Sequence, residues 1–224
     1  MSHHQPDSGD RQQARFNMIE QQIRTWEVLD PVVLNLLQQV PREDFVPARY
    51  MGLAFADLEI PIGFGQVMLS PKLEARMLQA LQLSKNDLVL EIGTGNGYMT
   101  ALLAKLAKEV HSVELEPDLS SAAAQRLVAH GISNIILEVG DAARGWGNNQ
   151  YDVIVLTGSI PELPTLFEQQ LNPGGRLLAV VGDAPVMEAV LVTCVSPGVY
   201  RRETLFETCI PPLENAAQPE RFHF

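Results

Sequence analysis

The residues with the clearest potential for chemistry form the glycine-rich stretch LEIGTGNG over residues 90–97. An apolar stretch typical of a buried strand runs directly into the glycines, and helical periodicity follows them. The missing side chains of Gly93 and Gly95 would let backbone N–H groups approach a ligand closely. The G-x-G-x-G spacing differs from the G-x-G-x-x-G of dinucleotide sites, and Glu91 precedes the first glycine. The pattern predicts a small-molecule site whose acid favours a cationic ligand over a pyrophosphate.

Two further acids follow at the ends of the next two apolar stretches. Glu114 lies 17 residues after Gly97, where a carboxylate can accept hydrogen bonds from both hydroxyls of a ribose. Asp141, followed by Ala142, ends the third stretch, where an adenine amino group could donate to it. Because parallel strands present their carboxyl ends at one edge of a sheet, the three acids are predicted to lie around one ligand.

An alternation of strands and helices positions these residues. Strand–helix alternation predicts a parallel sheet covered on both faces, and two final apolar runs without room for a helix between them predict an antiparallel hairpin. The expected fold class is α/β: a Rossmann-like, doubly wound, mostly parallel seven-stranded sheet with an antiparallel C-terminal hairpin and an N-terminal helical extension. Helices are predicted over 71–82, 98–108, 117–131 and 163–171, and strands over 88–92, 110–114, 134–139, 151–156, 176–181, 187–195 and 204–210.

The first 70 residues differ in character from the remainder of the chain. Residues 1–15 are polar without an apolar period and are predicted to form a disordered tail. Residues 16–70 are predicted to hold two helices and a loop-rich segment that serves substrate and cofactor, with the helices capping the cofactor end. The second helix is expected to begin with Asp30 as N-cap before Pro31. The main domain is predicted over 71–224.

Composition and charge exclude several classes of protein. The 224 residues carry 16 Lys and Arg against 27 Asp and Glu, a net charge of −11 that argues against general nucleic-acid binding. Two cysteines, Cys194 and Cys209, allow at most one disulfide and no cysteine-built zinc site, and no metal is expected. No apolar run approaches the ~20 residues of a membrane span. We expect a cytoplasmic protein that partners neither membranes nor nucleic acid.

Six stretches, in a fixed order, give the chain a family resemblance. They are VPREDFVP, IPIGFGQ, LEIGTGNGY, GDAARGW, YDVIVLTGSIPELP and LNPGGRLLAVVG, between about Met18 and Leu213. With them the chain resembles the class I S-adenosylmethionine-dependent methyltransferases, and among these the protein-L-isoaspartate O-methyltransferase family of protein-repair enzymes. The resemblance implies that S-adenosylmethionine is the cofactor, that residues 71–224 form the methyltransferase domain, and that a carboxylate on a peptide or small molecule is methylated by in-line displacement.

The same resemblance implies which residues hold the cofactor. Glu91, Gly93, Thr94 and Gly95 would hold its methionine end and ribose side, Glu114 the ribose hydroxyls, and Asp141 with Ala142 the adenine.

The chain departs from the family pattern on the substrate side. The family continues its Gly-Gln with Thr-Ile-Ser, whereas here Gln66 is followed by Val67, Met68 and Leu69, all four of which are expected at the substrate. Leu69 takes the position of the Ser that is assigned the catalytic role, so that hydroxyl is absent, as is the hydroxyl of the Thr. Ser70, one place later, is a candidate for the catalytic role, but Ser before Pro at a helix start is more typical of an N-cap.

Two other functions stay open at the level of sequence. A methyltransferase of a different small or apolar acceptor would keep every cofactor residue and would account for the apolar residues 67–69. A non-catalytic protein that binds S-adenosylmethionine is the alternative from a different class. An amino-group nucleic-acid methyltransferase is disfavoured, because LTGS over residues 156–159 lacks the Asp/Asn-Pro-Pro-aromatic motif of those enzymes.

Overall fold

The structure, a computed structural model, describes residues 8–218. Two short helical turns, Ile19–Ile23 and Arg24–Trp26, continue the first helix, and two more, Arg42–Asp44 and Ala48–Leu53, follow the second. The α-helices of the described part of the chain are α1 Ser8–Met18, α2 Pro31–Gln39, α3 Pro71–Leu81, α4 Tyr98–Leu106, α5 Pro117–Ala129 and α6 Thr165–Gln169.

The strands form one large sheet and one small hairpin. Within residues 8–218 they are β1 Ile60–Gly63, β2 Gln66–Met68, β3 Leu88–Ile92, β4 Glu109–Glu114, β5 Ile135–Val139, β6 Tyr151–Ile160, β7 Leu171–Asp183, β8 Val186–Ser196 and β9 Val199–Thr208. The hairpin pairs β1 with β2, and the large sheet has the order β5–β4–β3–β6–β7–β8–β9. The five strands β5, β4, β3, β6 and β7 pair in parallel, in that order. Strand β8 runs antiparallel to both of its neighbours, β7 and β9. The predicted α/β class and seven-stranded, mostly parallel sheet are confirmed.

The central strands are apolar because helices cover the sheet on both faces. One core contains buried residues of α2 to α5, and the other contains Phe167 of α6 with Tyr151, Leu171 and Ala216. Strand β3, LVLEI, lies between β4 and β6 and contributes residues to both cores. The chain leaves β3 toward β4 on one side and later returns to β6 on the other, and such a reversal opens a crevice at the carboxyl ends of the strands.

The N-terminal segment is more ordered than its sequence indicates. Residues 1–7 lie outside the described residues, but α1 begins at Ser8, so the prediction of a disordered tail is wrong for residues 8–15. Polar contacts hold this helix: the Arg15 side chain donates to the Gln38 carbonyl at 3.0 Å and pairs with the Glu43 carboxylate. The absence of an apolar period therefore did not imply disorder.

The two helices predicted over residues 16–40 are present, but in a different place. As predicted, Asp30 caps α2, with Oδ1 accepting the Val32 N–H at 2.8 Å. The helices pack on α3 and α4, and none of residues 16–40 lines the cleft at the strand ends. The prediction that they cap the cofactor end is therefore wrong.

The final hairpin turns earlier than predicted. Strand β9 begins at Val199 because the turn consists of Pro197 and Gly198, the latter with φ +78°. Residues 200–203 belong to this edge strand although three of the four are charged. The predicted strand began only at residue 204 because it was identified by its apolar run alone.

Cys194 is buried, Cys209 is exposed, and both are free. None of the described helices combines the length and apolar character needed to cross a membrane.

Candidate active site

A cleft opens at the carboxyl ends of β3, β4 and β5 and the last part of β6. Its volume is about 700 Å³ including the open solvent at its mouth. The strand ends form its floor, while the β1–β2 hairpin and the segment after β9 form its other walls. Of the residues predicted from sequence, Gln66, Val67, Leu69, Gly93, Gly95, Glu114, Asp141 and Ala142 line it, whereas Met68, Ser70, Glu91 and Thr94 do not.

The glycine turn presents bare backbone to the cleft. Gly93 and Gly95 have φ values of +95° and +55°, a region that favours glycine. A Cβ on Gly93 would collide with the hydroxyl of Thr157, which donates to the Gly93 carbonyl at 2.7 Å and lies 3.0 Å from that of Ile92. Thr157 also lines the cleft. It was not predicted as a site residue, because the LTGS stretch over residues 156–159 was considered only for the nucleic-acid methyltransferase motif that it lacks.

Glu114 joins the glycine turn to the end of β4. Its Oε2 accepts the Gly95 N–H at 2.7 Å, and its Oε1 accepts the Glu116 N–H at 3.1 Å. Each carboxylate oxygen has two lone pairs, so each can accept one more hydrogen bond. Glu114 is thus anchored at the cleft and keeps the capacity to accept from two hydroxyls of a ligand.

Asp141 lies at the other end of the cleft, after β5. Its Oδ1 accepts the Ala143 N–H at 3.2 Å, and its Oδ2 accepts from Asn215 Nδ2 at 2.9 Å. The loop is held by the indole of Trp146, which packs so closely on Gly140 that a Cβ there would overlap the ring. Asp141 is therefore held between its own loop and the C-terminal segment.

Glu91 does not face the cleft, in contrast to the expectation from sequence. The fully buried side chain accepts at Oε2 from Thr100 Oγ1 at 2.5 Å and from Ser112 Oγ at 2.6 Å. The Ser112 hydroxyl lies 2.6 Å from that of Thr94, so Thr94 belongs to the same buried cluster. Burial raises the pKa of Glu91 to about 8. The side chains of Glu91 and Thr94 therefore lie behind the glycine turn and not in the cleft. At neutral pH Glu91 is mostly protonated, so it offers no negative charge to a cationic ligand.

The side of the cleft formed by the hairpin and the C-terminal segment is mostly apolar. Ile62 and Val67 of the hairpin line it, as do Leu69 and, from the C-terminal segment, Leu213. Met68, which is paired with Ile60 in the hairpin, is buried instead. Its side chain points away from that of Val67 because successive side chains of a strand point to opposite faces. The hairpin itself lies in a stretch that the sequence analysis described only as loop-rich.

Ser70 occupies the N-cap position of α3, as predicted, but not through its hydroxyl. Its backbone carbonyl accepts the N–H groups of Leu73 and Glu74 at 3.1 and 3.2 Å, whereas its side chain makes no capping hydrogen bond. The side chain is buried and does not line the cleft. The geometry gives Ser70 no contact with the space where an acceptor would lie.

The C-terminal segment closes the remaining side of the cleft. Pro211 and Leu213 make backbone hydrogen bonds of 2.9 and 2.8 Å to Ser159 of β6. Across the mouth, Gln66 Nε2 donates to Glu214 Oε1 at 3.0 Å. This wall was not predicted from the sequence, although the family resemblance extends to about Leu213. The described residues that line the cleft include four acids but no Lys or Arg, and no metal-binding cluster occurs within residues 8–218.

Comparisons with known proteins place these features in one family. The family model described as protein-L-isoaspartate(D-aspartate) O-methyltransferase (PCMT) matches residues 13–198. The chain is 42% identical over 217 residues to protein-L-isoaspartate O-methyltransferase 1 of Rhodopseudomonas palustris (strain HaA2), covering 95% of this chain and 89% of the relative. It is 44% identical to protein-L-isoaspartate O-methyltransferase of a Picosynechococcus species, over 75% of this chain and 76% of the relative.

Solved structures show the same fold. A protein-L-isoaspartate O-methyltransferase superposes with a TM-score of 0.75 at 25% identity, covering 90% of this chain and 65% of that one. A protein-L-isoaspartate O-methyltransferase from Plasmodium falciparum, in complex with S-adenosyl-L-homocysteine, gives 0.76 at 18% identity over 91% and 98% of the two chains. Because the family model spans most of the sequence and relatives above 40% identity cover three quarters or more of it, the chain belongs to the protein-L-isoaspartate O-methyltransferase family.

Proposed function

We propose that this protein transfers a methyl group from S-adenosylmethionine to a carboxylate, with isoaspartyl residues of peptides as the acceptor class. The observation that carries the proposal is the cleft that is lined by the bare glycine turn, by the carboxylates of Glu114 and Asp141, and by a wall formed by Gln66, Val67 and Leu69. The names of the relatives supply the acceptor class. Two free cysteines fit a reducing compartment, and we place the reaction in the cytoplasm.

The residues present fit the cofactor. Glu114 retains acceptor capacity for two ribose hydroxyls, and Asp141 with Ala142 would hold the adenine. The turn at Gly93 and Gly95 leaves room for the methionine end against backbone. S-adenosylmethionine, when bound, supplies an electrophilic methyl group on a positively charged sulfur. The acidic character of the cleft suits that positive charge.

The chain's own contribution to the reaction is alignment and exclusion of water. A carboxyl group with an ordinary pKa near 4 is ionised at neutral pH, so its oxygen needs no general base. Holding the acceptor in line can supply about 7 kcal/mol or more of the barrier reduction. Val67 and Leu69 form the apolar wall that removes water from the reacting oxygen. This account requires no hydroxyl from Ser70.

The same wall favours a second candidate function, methylation of a different small or apolar acceptor. Val67 and Leu69 replace hydroxyl residues of the family and line the cleft, and no Lys or Arg lines its described part. A carboxylate buried without donors is penalised, whereas an apolar acceptor is not. Both candidates use the same cofactor half of the cleft.

Binding of the cofactor product tests the half that both candidates share. We expect calorimetry to detect S-adenosylhomocysteine binding that Glu114→Ala weakens by about 1–3 kcal/mol, or roughly 5- to 150-fold in Kd, because a ligand hydroxyl pair loses its acceptor. Glu109→Ala is the matched control, since Glu109 lies at the opposite end of β4 and contacts His111. Equal Kd values for the two variants would contradict the assigned site.

Transfer assays distinguish the acceptors. Labelled S-adenosylmethionine is incubated with a peptide containing isoaspartate and with the same peptide containing normal aspartate, and methyl-ester formation is measured. Transfer to the isoaspartyl peptide alone supports the first proposal. Binding of the cofactor product without transfer to either peptide, followed by transfer to small apolar acceptors, supports the second.

A further inference from the structure

Arg42 is a fully buried arginine next to the proposed acceptor wall, the side of the cleft formed by Gln66, Val67 and Leu69. Its Nε donates to the Ala54 carbonyl at 2.9 Å, and one terminal nitrogen donates to the Leu69 carbonyl at 2.6 Å. The other terminal nitrogen pairs with the Glu74 carboxylate. The guanidinium carbon also lies 5.1 Å from the centre of the Tyr98 ring. One planar group thus connects four separate segments of the chain.

The contact with Leu69 connects this arginine to the cleft. Leu69 lines the cleft at the position where the family has its catalytic hydroxyl, and it lies in the short link between β2 and α3. A hydrogen bond to its carbonyl restrains the peptide plane that follows the Leu69 side chain. Glu74, in the first turn of α3, sets the position of the guanidinium from the other side of that link. Arg42 itself does not line the cleft.

We propose that Arg42 is a positioning residue that holds the Leu69 segment in the geometry needed for methyl transfer. The inference rests on the proposed function for its kinetic consequence, but the geometric part stands on the hydrogen bonds alone. A planar fork with several donors is required, because a lysine ammonium at this place could keep the charge pair without reaching three acceptors in one plane. The acceptor wall is thereby set from outside the cleft.

A second arginine at the other end of α3 provides a matched control. Arg176 donates to the Leu81 and Gln82 carbonyls at 2.8 and 3.1 Å and pairs with Asp87 at 2.7 Å. It therefore resembles Arg42 in binding carbonyls and one acid next to α3, but it lies away from residues 66–70. In Arg176→Met, Asp87 keeps its hydrogen bonds from the Ser84 N–H and hydroxyl.

The experiment compares Arg42→Lys, the double variant Arg42→Met with Glu74→Leu, and Arg176→Met. The double variant removes both buried charges together, which avoids leaving one unpaired. Amide hydrogen exchange of residues 66–70 reports on the segment without any need for activity. Calorimetry with S-adenosylhomocysteine and kcat and KM for an isoaspartyl peptide are measured on the same samples.

We expect faster exchange over residues 66–70 in both Arg42 variants and no change there in Arg176→Met. Misplacement of the wall should lower kcat by about 10- to 100-fold, while the Kd of the cofactor product stays within about twofold because none of the guanidinium's hydrogen bonds goes to a residue of the cofactor half of the cleft. Unchanged exchange in a folded Arg42 variant would overturn the proposal.

The outcomes separate this proposal from the proposed function. If the natural protein methylates neither peptide, the proposed function fails while hydrogen exchange still decides the role of Arg42. If the double variant does not fold, Arg42→Lys decides it. Loss of protection throughout the chain in both variants would also overturn the proposal, because Arg42 would then serve the fold as a whole.

Discussion

The acid of the glycine motif, Glu91, is buried and does not line the cleft. Glu91 follows two buried apolar residues in β3, and its side chain is satisfied by the hydroxyls of Thr100 and Ser112 at one oxygen, while the other has no partner among the described residues. Burial raises its pKa to about 8 from an ordinary value of 4.5, and the charges of Glu114 and Glu74 act in the same direction. Glu91 therefore binds a proton in the native state that the unfolded chain releases.

This residue predicts a pH dependence of stability. Between about pH 4.5 and 8 the Glu91 carboxyl binds more protons in the native protein than in the unfolded chain, so its contribution to the free energy of unfolding falls as pH rises through that window and then levels off. Glu91→Gln cannot ionise and should lose less stability between pH 5.5 and 8.5 than the natural protein, by on the order of 3 kcal/mol. Denaturant unfolding at several pH values measures it, with Glu109→Gln as the control. Parallel profiles for Glu91→Gln and the natural protein would contradict the assignment.

A second residue-scale prediction concerns Ser70. Its hydroxyl makes no capping hydrogen bond and does not line the cleft, so Ser70→Ala should change neither kcat for an acceptor nor the Kd of the cofactor product by more than about twofold. Unfolding should also shift little, within about 0.5 kcal/mol. Transfer kinetics beside a melting curve measure both. A loss of activity at unchanged stability would show that this hydroxyl has taken over the substrate role.

At the scale of elements, the β1–β2 hairpin decides the chemistry of the acceptor wall. Val67 of β2 lines the cleft while Met68 points to the core, and Leu69 of the following link packs in the same core but also lines the cleft. Two of the three departures from the family triplet therefore line the cleft, and the third is a packing change. The C-terminal segment completes the wall, joined to the hairpin by Gln66 and Glu214.

Restoring the two hydroxyls tests whether Val67 and Leu69, rather than Met68, limit the transfer to an isoaspartyl carboxylate. Val67→Thr with Leu69→Ser should raise isoaspartyl transfer by roughly ten- to a hundredfold, because a hydrogen bond to a charged group is worth about 1.5–3 kcal/mol if fully realised in the transition state. Adding Met68→Ile should change the rate little further, and Met68→Ile alone is the matched control. The measurement is kcat/KM with the isoaspartyl peptide. High natural activity that the double variant does not improve would mean that backbone donors suffice.

At the scale of the whole molecule, cofactor binding and folding are linked, because the cleft is assembled from segments far apart in sequence. The walls include Ile62, Gln66, Val67 and Leu69, the glycine turn, the loop after β5, and Pro211, Leu213 and Glu214. The unfolded chain cannot present these groups together, so a ligand of the cleft stabilises only the native state.

Thermal unfolding should report this linkage directly. S-adenosylhomocysteine at 100 times its Kd should add about 2.7 kcal/mol to the free energy of unfolding and raise Tm by roughly 5–10 °C for a chain of this size. NAD at the same concentration is the control, because the glycine spacing is not that of a dinucleotide site. An equal shift with both compounds, or none with S-adenosylhomocysteine, would contradict the proposed ligand.

The sheet, the helices that cover it and the place of the cleft at the strand ends could be predicted from the amino-acid sequence. These follow from local signals: apolar strands alternate with amphipathic helices, and Gly93 and Gly95 end a strand at the carboxyl edge of the sheet, where Glu114 and Asp141 also end theirs. Short-range periodicity and the rule for parallel sheets are sufficient for such features.

Only the tertiary structure decided which side chains reach the cleft. Glu91 and Gly93 are two residues apart, yet one is buried among hydroxyls and the other lines the cleft, because long-range packing against α4 and β4 determines burial. The ordered α1 and the link from Arg42 to Leu69 likewise depend on partners between 23 and 28 residues away. A window of sequence does not contain those partners, so their effect appears only when the chain is folded.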